Sequence, residues 1–312
     1  MRSAQMPGHQ KPVKIPGFQG LEKAVLFLLV LGLSLICLPS WAQEEEEGVF
    51  KGVGIHLRLR GGWAMFAGGD LEAGTSGRYD RILGELSALG LEISRQAKKP
   101  FRSGYEMGGD VVYFFTPSLG AGLGGSLLGA HTESSIMFNW PGSPLDYSMT
   151  SVPELKVWSL RLGLFLSLPL NRLLTFCASA GPALYFSEFR YTGDAIVMGN
   201  EDSLHQEVKA SQWGVQGSLG LEVRMNRRLA FILEAQGRYA KISGFEGTER
   251  TFGWHGGQSQ TVNEDGTLYF IEGEDYPRLD VIPGQPDSAL QARKAVLDLS
   301  GLSLTAGFNF KF

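Results

Sequence analysis

Eight times between residues 53 and 312 the sequence alternates apolar residues with polar or small ones at a period of two. In the final stretch, LSLTAGFNFKF, Leu302, Leu304, Ala306, Phe308, Phe310 and Phe312 share one side, and Ser303, Thr305, Gly307, Asn309 and Lys311 share the other. Successive side chains of a strand point to opposite faces, so each such segment must lie at a boundary between an apolar and a polar phase. The first segment, 53–66, sets Val53, Ile55, Leu57, Leu59, Trp63 and Met65 against His56, Arg58 and Arg60. The second, 101–115, sets Tyr105, Met107, Val111, Tyr113 and Phe115 against Arg102, Glu106 and Asp110. The third is the glycine-rich 119–131, and in the fourth Leu160, Leu162, Leu164, Leu166 and Leu168 oppose Ser159, Arg161 and Ser167. In the fifth, Leu174, Phe176 and Ala178 oppose Thr175, Cys177 and Ser179. The sixth places Trp213, Val215, Leu219, Leu221 and Val223 against Gln216, Ser218, Glu222 and Arg224, and the seventh places Leu229, Phe231, Leu233 and Tyr239 against Glu234, Gln236 and Arg238. In the eighth the apolar phase slips near Ser300–Gly301, where a β-bulge is predicted.

Alternation alone fits a soluble β-sandwich as well as a barrel in lipid. What separates them is the content of each face. The apolar face is almost free of polar atoms, while the other mixes a few charges with many Gly, Ser and Thr, drawing on a total of 42 glycines. That suits a lipid-facing exterior around a tight polar interior. At mid-depth an arginine on the lipid side costs about 2–4 kcal/mol, so turning Arg58, Arg161 and Arg238 outward together would consume most of a typical stability of about 5–15 kcal/mol. The register is thereby fixed. Buried ions persist only when paired, which predicts an interior network of Arg58, Arg60, Arg102, Arg161, Arg224 and Arg238 with Glu106, Asp110, Glu222 and Glu234, joined by His56.

The connections after the second, fourth and sixth segments are tight, around 116–118, 169–172 and 225–228. Those after the first, third, fifth and seventh are long: Ala67 to Pro100, Ser134 to Thr150, Gly193 to Glu207 and Ser243 to Lys294. Short turns thus gather at one end and long loops at the other. Aromatic girdles are predicted at both ends, with Trp63, Trp158, Trp213 and Tyr239 toward the long loops and Tyr113, Phe115, Phe176, Phe231, Phe308 and Phe310 toward the short turns.

The N-terminus reads as a signal peptide over 1–42. Lys11, Lys14 and Lys23 precede the apolar run 24–38, which is short for a span of about 20 residues, and Pro39 and SWA follow, placing cleavage after Ala42. Residues 43–50 form an acidic leader and 51–312 the barrel. Only Cys177 then remains, so no internal disulfide is available. A formal net charge of -4 gives no basis for binding nucleic acid.

A signal peptide, eight amphipathic strands, short turns opposite long loops and a final strand ending in Phe312 resemble the small outer-membrane β-barrels of the OmpA, OmpX and OmpW type. The resemblance implies an all-β, eight-stranded antiparallel up-and-down transmembrane barrel with long extracellular loops, in the outer membrane of a Gram-negative-type bacterium. It also implies that Phe312 is read by the barrel-assembly machinery, which joins outer-membrane lipids as an expected partner of a monomer. A periplasmic domain of the OmpA kind has no counterpart here, and the last outer loop is longer than the resemblance leads one to expect.

Within loop one, Ile82, Leu86, Leu89 and Ile93 recur at helical spacing in 78–93, which predicts a helix over the barrel mouth, on the membrane rim or against neighbouring loops. In loop four, Asp265–Gly266 between QTV and TLYFI predicts the turn of a hairpin, which would make ten strands if it joined the wall. Glu264, Asp265, Glu272, Glu274, Asp275 and Asp280 follow no calcium-loop spacing and read as a solvated surface. His131 lies near Glu133, Ser134 and Ser135, but neighbours on a strand face opposite ways, so catalysis is not expected there. No cofactor or metal is expected. An eight-stranded barrel is just wide enough for side chains to fill, which favours a structural, adhesive or surface-contact role through the loops. The alternative is a narrow pore, or OmpW-like transport of a small or hydrophobic molecule.

Overall fold

A computed structural model describes residues 53–139, 146–197, 200–255, 258–273, 276–287 and 291–312. The signal segment, its cleavage site and the acidic leader lie outside the described residues, as do Glu274 and Asp275. In chain order the elements are β1 (Gly54–Phe66), α1 (Asp70–Ala88), β2 (Glu92–Ala97), β3 (Ser103–Phe114), β4 (Leu119–His131), β5 (Ser134–Asn139), β6 (Asp146–Pro169), β7 (Leu174–Val197) and β8 (Asn200–Arg224). There follow β9 (Leu229–Tyr239), β10 (Lys241–Ser243), β11 (Glu246–His255), β12 (Gln258–Ile271), β13 (Arg278–Ile282), β14 (Ala292–Lys294), β15 (Val296–Asp298) and β16 (Gly301–Lys311).

Antiparallel pairing runs β1, β3, β4, β6, β7, β8, β9, β16 and back to β1, closing a ring of eight strands. The seam is continuous from Phe66 opposite Gly301 to His56 opposite Lys311, and beyond it Phe312 N donates to Ile55 O at 3.0 Å. Three short turns at one end share one construction. Thr116 Oγ1, Asn171 Oδ1 and Asn226 Oδ1 each accept hydrogen bonds from the backbone N–H groups two and three residues on. A side-chain oxygen thereby replaces a ladder carbonyl and fixes a tight reversal.

Outward residues of the ring are bare of protein. Leu123, Leu160, Leu164, Leu219 and Leu304 are all at least 60% exposed, and neighbouring strands join them into one belt. So large a contiguous apolar surface is stable only against another apolar phase. No described helix is long and apolar enough to cross a membrane, and a closed ring of strands, which satisfies its own backbone hydrogen bonds, can stand in lipid without one.

Beyond the long-loop end the wall continues. Strands β6, β7 and β8 run for 24, 24 and 25 residues, so much of what reads as loops two and three is strand, and β5 and β2 add to the outer part of β6. The reason lies in what their inner faces touch. Leu155, Phe189, Tyr191, Leu204 and Val208 are buried with Phe66, Leu71, Phe245, Leu268 and Leu297 in a hydrophobic core above the ring. Loop four also departs from expectation. Asp265–Gly266 lies inside β12, opposite Thr248 and Gly247 of β11, and the hairpin reverses after His255. Gly266 serves a close approach instead, since a Cβ there would meet Ile282 O where β13 folds back. Strand β11 pairs with the outer half of β8, outside the ring, and the closed ring remains at eight.

Helix α1 begins eight residues earlier than the spacing predicts and ends before Leu89, which is exposed, as is Ile93 in β2. Its buried side is Leu71, Thr75, Tyr79 and Leu86, which faces the cap. The slip at Ser300–Gly301 is likewise not a bulge. Leu297, Leu299, Ser303, Thr305 and Asn309 are all buried, so alternate residues point inward without interruption. The apolar phase changes because the interior changes, from a greasy core in the cap to a polar lumen in the ring.

Candidate functional site

The lumen is built from strand positions whose side chains point inward. Glu106 of β3 accepts four hydrogen bonds from three other strands: Ser126 Oγ of β4 (3.0 Å), Gln236 Nε2 (2.9 Å) and Arg238 Nη1 (2.7 Å) of β9, and Ser303 Oγ of β16 (2.5 Å). Asp110, four residues further along β3 on the same face, pairs with Arg60 of β1 and with Arg161 of β6 at 2.6 Å. Its carboxylate lies over Gly124, where any Cβ would collide with it. Glu234 of β9 takes Arg58 at 3.1 Å and Arg60 Nε at 3.7 Å. Nearer the short turns, Glu222 pairs with Lys311 and accepts from Asn309 Nδ2 at 2.8 Å, and Asn309 also lies 3.3 Å from His56 Nδ1.

Each of these ions would cost several kcal/mol to bury alone, and each has an opposite charge beside it with further hydrogen bonds around it. Val112, Phe114 and Phe165 form an apolar cluster, with the Phe114 ring 4.5 Å from that of His56. Arg58 and Arg161 lie over Phe165 at 5.7 and 5.3 Å. The lumen is therefore filled at every level: the apolar cluster beside the Glu222–Lys311 pair toward the short turns, the other ion pairs in the middle, and the cap core above.

Of the residues predicted for this network, Arg58, Arg60, Glu106, Asp110, Arg161, Glu222, Glu234 and Arg238 occupy it. Arg102 does not. At the top of β3 the chain turns Phe101 into the cap core, which leaves Arg102 outside, paired with Glu72 of α1 at 3.0 Å and 60% exposed. Arg224 is half-buried at the short-turn rim, where its backbone N–H donates to Leu173 O at 2.8 Å. Ser126, Gln236, Ser303, Asn309 and Lys311 complete the network without having been singled out, although all but Ser126 lie on the polar side of alternations read above.

His131 Nδ1 lies 3.1 Å from Glu154 Oε1 on the surface, and His205 Nδ1 lies 3.1 Å from Thr192 Oγ1. Among the described residues no group of three His, Cys, Asp or Glu side chains comes together to hold a metal. What the cap does present is wall and hairpin. Residues 258–265 of β12 are exposed on both faces, as a hairpin standing clear into solvent would be, and Trp254 and Val262 are among its exposed side chains.

Residues 28–261 match the family described as the outer membrane protein beta-barrel domain. No curated protein matches the chain. Among solved structures it is similar to the outer membrane protein OprG from Pseudomonas aeruginosa, at 14% identity over 83% of this chain and 96% of that one, with a TM-score of 0.33. It is also similar to Ail, the attachment invasion locus protein of Yersinia pestis, at 13% identity over 83% of this chain and 99% of that one, with a TM-score of 0.30.

Proposed function

The chain belongs to the outer membrane protein β-barrel domain family, and from that membership we propose that it is a membrane-anchored platform whose work is done by the outer cap, in contact with surface partners, and not by conduction through the ring. The observation that carries this reading is the filled lumen. An ion passing through would have to break the pairs at Glu106, Asp110 and Glu234 and displace the Val112–Phe114–Phe165 cluster. The β11–β12 hairpin, with Trp254 and Val262 exposed, supplies area for a partner. Outer-membrane lipids cover the leucine belt. Phe312, exposed at the short-turn rim beside β1, is the residue an assembly machinery would read.

Single-channel recording of the refolded chain in a planar bilayer tests the reading. A silent bilayer is expected, whereas steady openings would return the molecule to the narrow-pore alternative. For the assembly role, Phe312→Ser should lower the amount of folded protein in the outer membrane while leaving refolding in detergent intact. Equal amounts in the membrane would remove that role.

A further inference from the structure

Between α1 and strands β11 and β13 the cap holds a cleft of about 150 Å³. Arg78 and Arg81 enter it from the helix, Glu249 from β11, and Tyr276, Arg278 and Asp280 from the segment that folds back over the helix. The segment can approach closely because Gly77 of α1 carries no Cβ to meet Pro277 O.

The three guanidiniums differ in what already holds them. Arg278 Nε donates to Asp280 Oδ2 at 2.8 Å. Arg81 Nε has Glu85 at 3.5 Å and no hydrogen-bond partner. Arg78 is half-buried over the ring of Tyr191, 5.8 Å from its centroid, and among the described residues it has neither an ion pair nor a hydrogen bond. A guanidinium carries five donors, and one held against an aromatic face in a cleft keeps its charge with those donors unspent. Glu249, whose carboxyl feels the charge of Arg78, is itself engaged elsewhere. Its Oε2 already accepts from Gln206 Nε2 at 2.7 Å and Val281 N at 3.0 Å, and burial pushes its carboxyl above the usual carboxylate range.

We propose that this cleft is a binding site for an oxyanion, a phosphate or carboxylate group on a soluble ligand, with Arg78 as its principal cation and Arg81 and Tyr276 beside it. Its height selects a soluble source. Leu204, which lines the cleft, lies nine residues along β8 from the exposed Trp213 at the outer girdle, or about 30 Å of strand. A phospholipid headgroup at the membrane surface does not reach that far. Two oxygens of a carboxylate or of a phosphate match the paired N–H donors of arginine, which bind them bidentately.

The proposal rests on the reading of the cap as the working part, and the two fail separately, because conductance reports the lumen and anion titration reports the cleft. The test uses the full refolded chain in uncharged detergent, titrated with inorganic phosphate and, in parallel, acetate. Saturable binding is expected for at least one of them. It should weaken at least tenfold in Arg78→Met, less in Arg78→Lys, and not in Arg95→Met, which removes an exposed arginine on β2. Heat-modifiable migration on unboiled gels shows that each variant is folded. Equal affinity in the wild type and Arg78→Met, or no saturable binding of either anion, would overturn the site. Capture of the protein by phosphatidic acid vesicles with no response to the free anions would overturn the soluble source.

Discussion

Loss of Asp110 would strand a buried charge, since among the described residues Arg161 has no other carboxylate beside it and Arg60 would keep only Glu234 at 3.7 Å. Asp110 faces both Arg60 and Arg161, and its side chain has no exposed surface. Removing one member of a buried pair costs about 3–5 kcal/mol because the remaining charge is stranded. Asp110→Ala is therefore expected to destabilise the refolded protein by about that amount in a urea titration in micelles, and a loss below about 1 kcal/mol would contradict the network as described. Arg102→Ala in the same titration should cost no more than about 1 kcal/mol, since its bond to Glu72 is exposed. The contrast shows what sequence can say about a residue. Phase along the strand places Glu106, Asp110 and Glu234 in the lumen, but it cannot see where the strand leaves the ring, and Arg102 lies past that point. Glu249 adds a pH dependence. Burial raises its folded value above the roughly 4.3 of a free glutamate, so between those two values the native cap binds more protons than the unfolded chain. Stability from this group is complete below the unfolded value and is lost as pH rises through the folded one. Glu249→Gln should remove that fall, read as the pH dependence of amide protection in β11 and β13 relative to wild type. Parallel pH dependences in the two proteins would assign the fall to another group.

At the scale of elements, the strands that cross the membrane are legible and their extensions are not, for a physical reason. On β6, Leu160, Leu162 and Leu164 face lipid while Leu155 and Val157 face inward, so the apolar residues change sides although the backbone does not. A reader who follows the greasy face loses the strand where the interior turns greasy too. The same change hides the tops of β7 and β8 and mimics a bulge before β16. Helix α1 is misread by a related error. Spacing selects Ile82, Leu86, Leu89 and Ile93, whereas the buried side is Leu71, Thr75, Tyr79 and Leu86, with Gly74 and Gly77 set where the 276–279 segment crosses. Glycine in a helix reads as a breaker, but here it makes room for a crossing. Gly77→Ala should force Pro277 away and weaken the docking of α1 by about 1–3 kcal/mol. Hydrogen exchange should then quicken in 70–88 and 278–282 with heat-modifiable migration unchanged, and unaltered exchange in both segments would show that the contact yields at no cost.

Taken whole, the molecule joins two parts stabilised by different forces. The ring is a closed ladder whose outside is solvated by lipid and whose inside is crossed by ion pairs, so water and denaturant reach few of its bonds. The cap is a water-soluble core in which Leu71, Phe101, Phe189, Phe245 and Leu297 are buried by the hydrophobic effect, which urea weakens directly. The barrel-forming segments were legible because lipid imposes a simple rule on every outward position, and the cap was not, because its core is gathered from loops far apart in sequence. Different forces imply separable transitions. In rising urea, with the refolded chain in micelles, protease sites within 67–100 and 243–295 should open first, while the remaining fragments still migrate as an unboiled, heat-modifiable barrel. Loss of that migration should follow at higher urea, with Asp110→Ala shifting the second transition and Gly77→Ala only the first. Coincident transitions, moved together by either substitution, would mean that cap and ring fold as one unit and that the core above the lumen is part of what closes the ring.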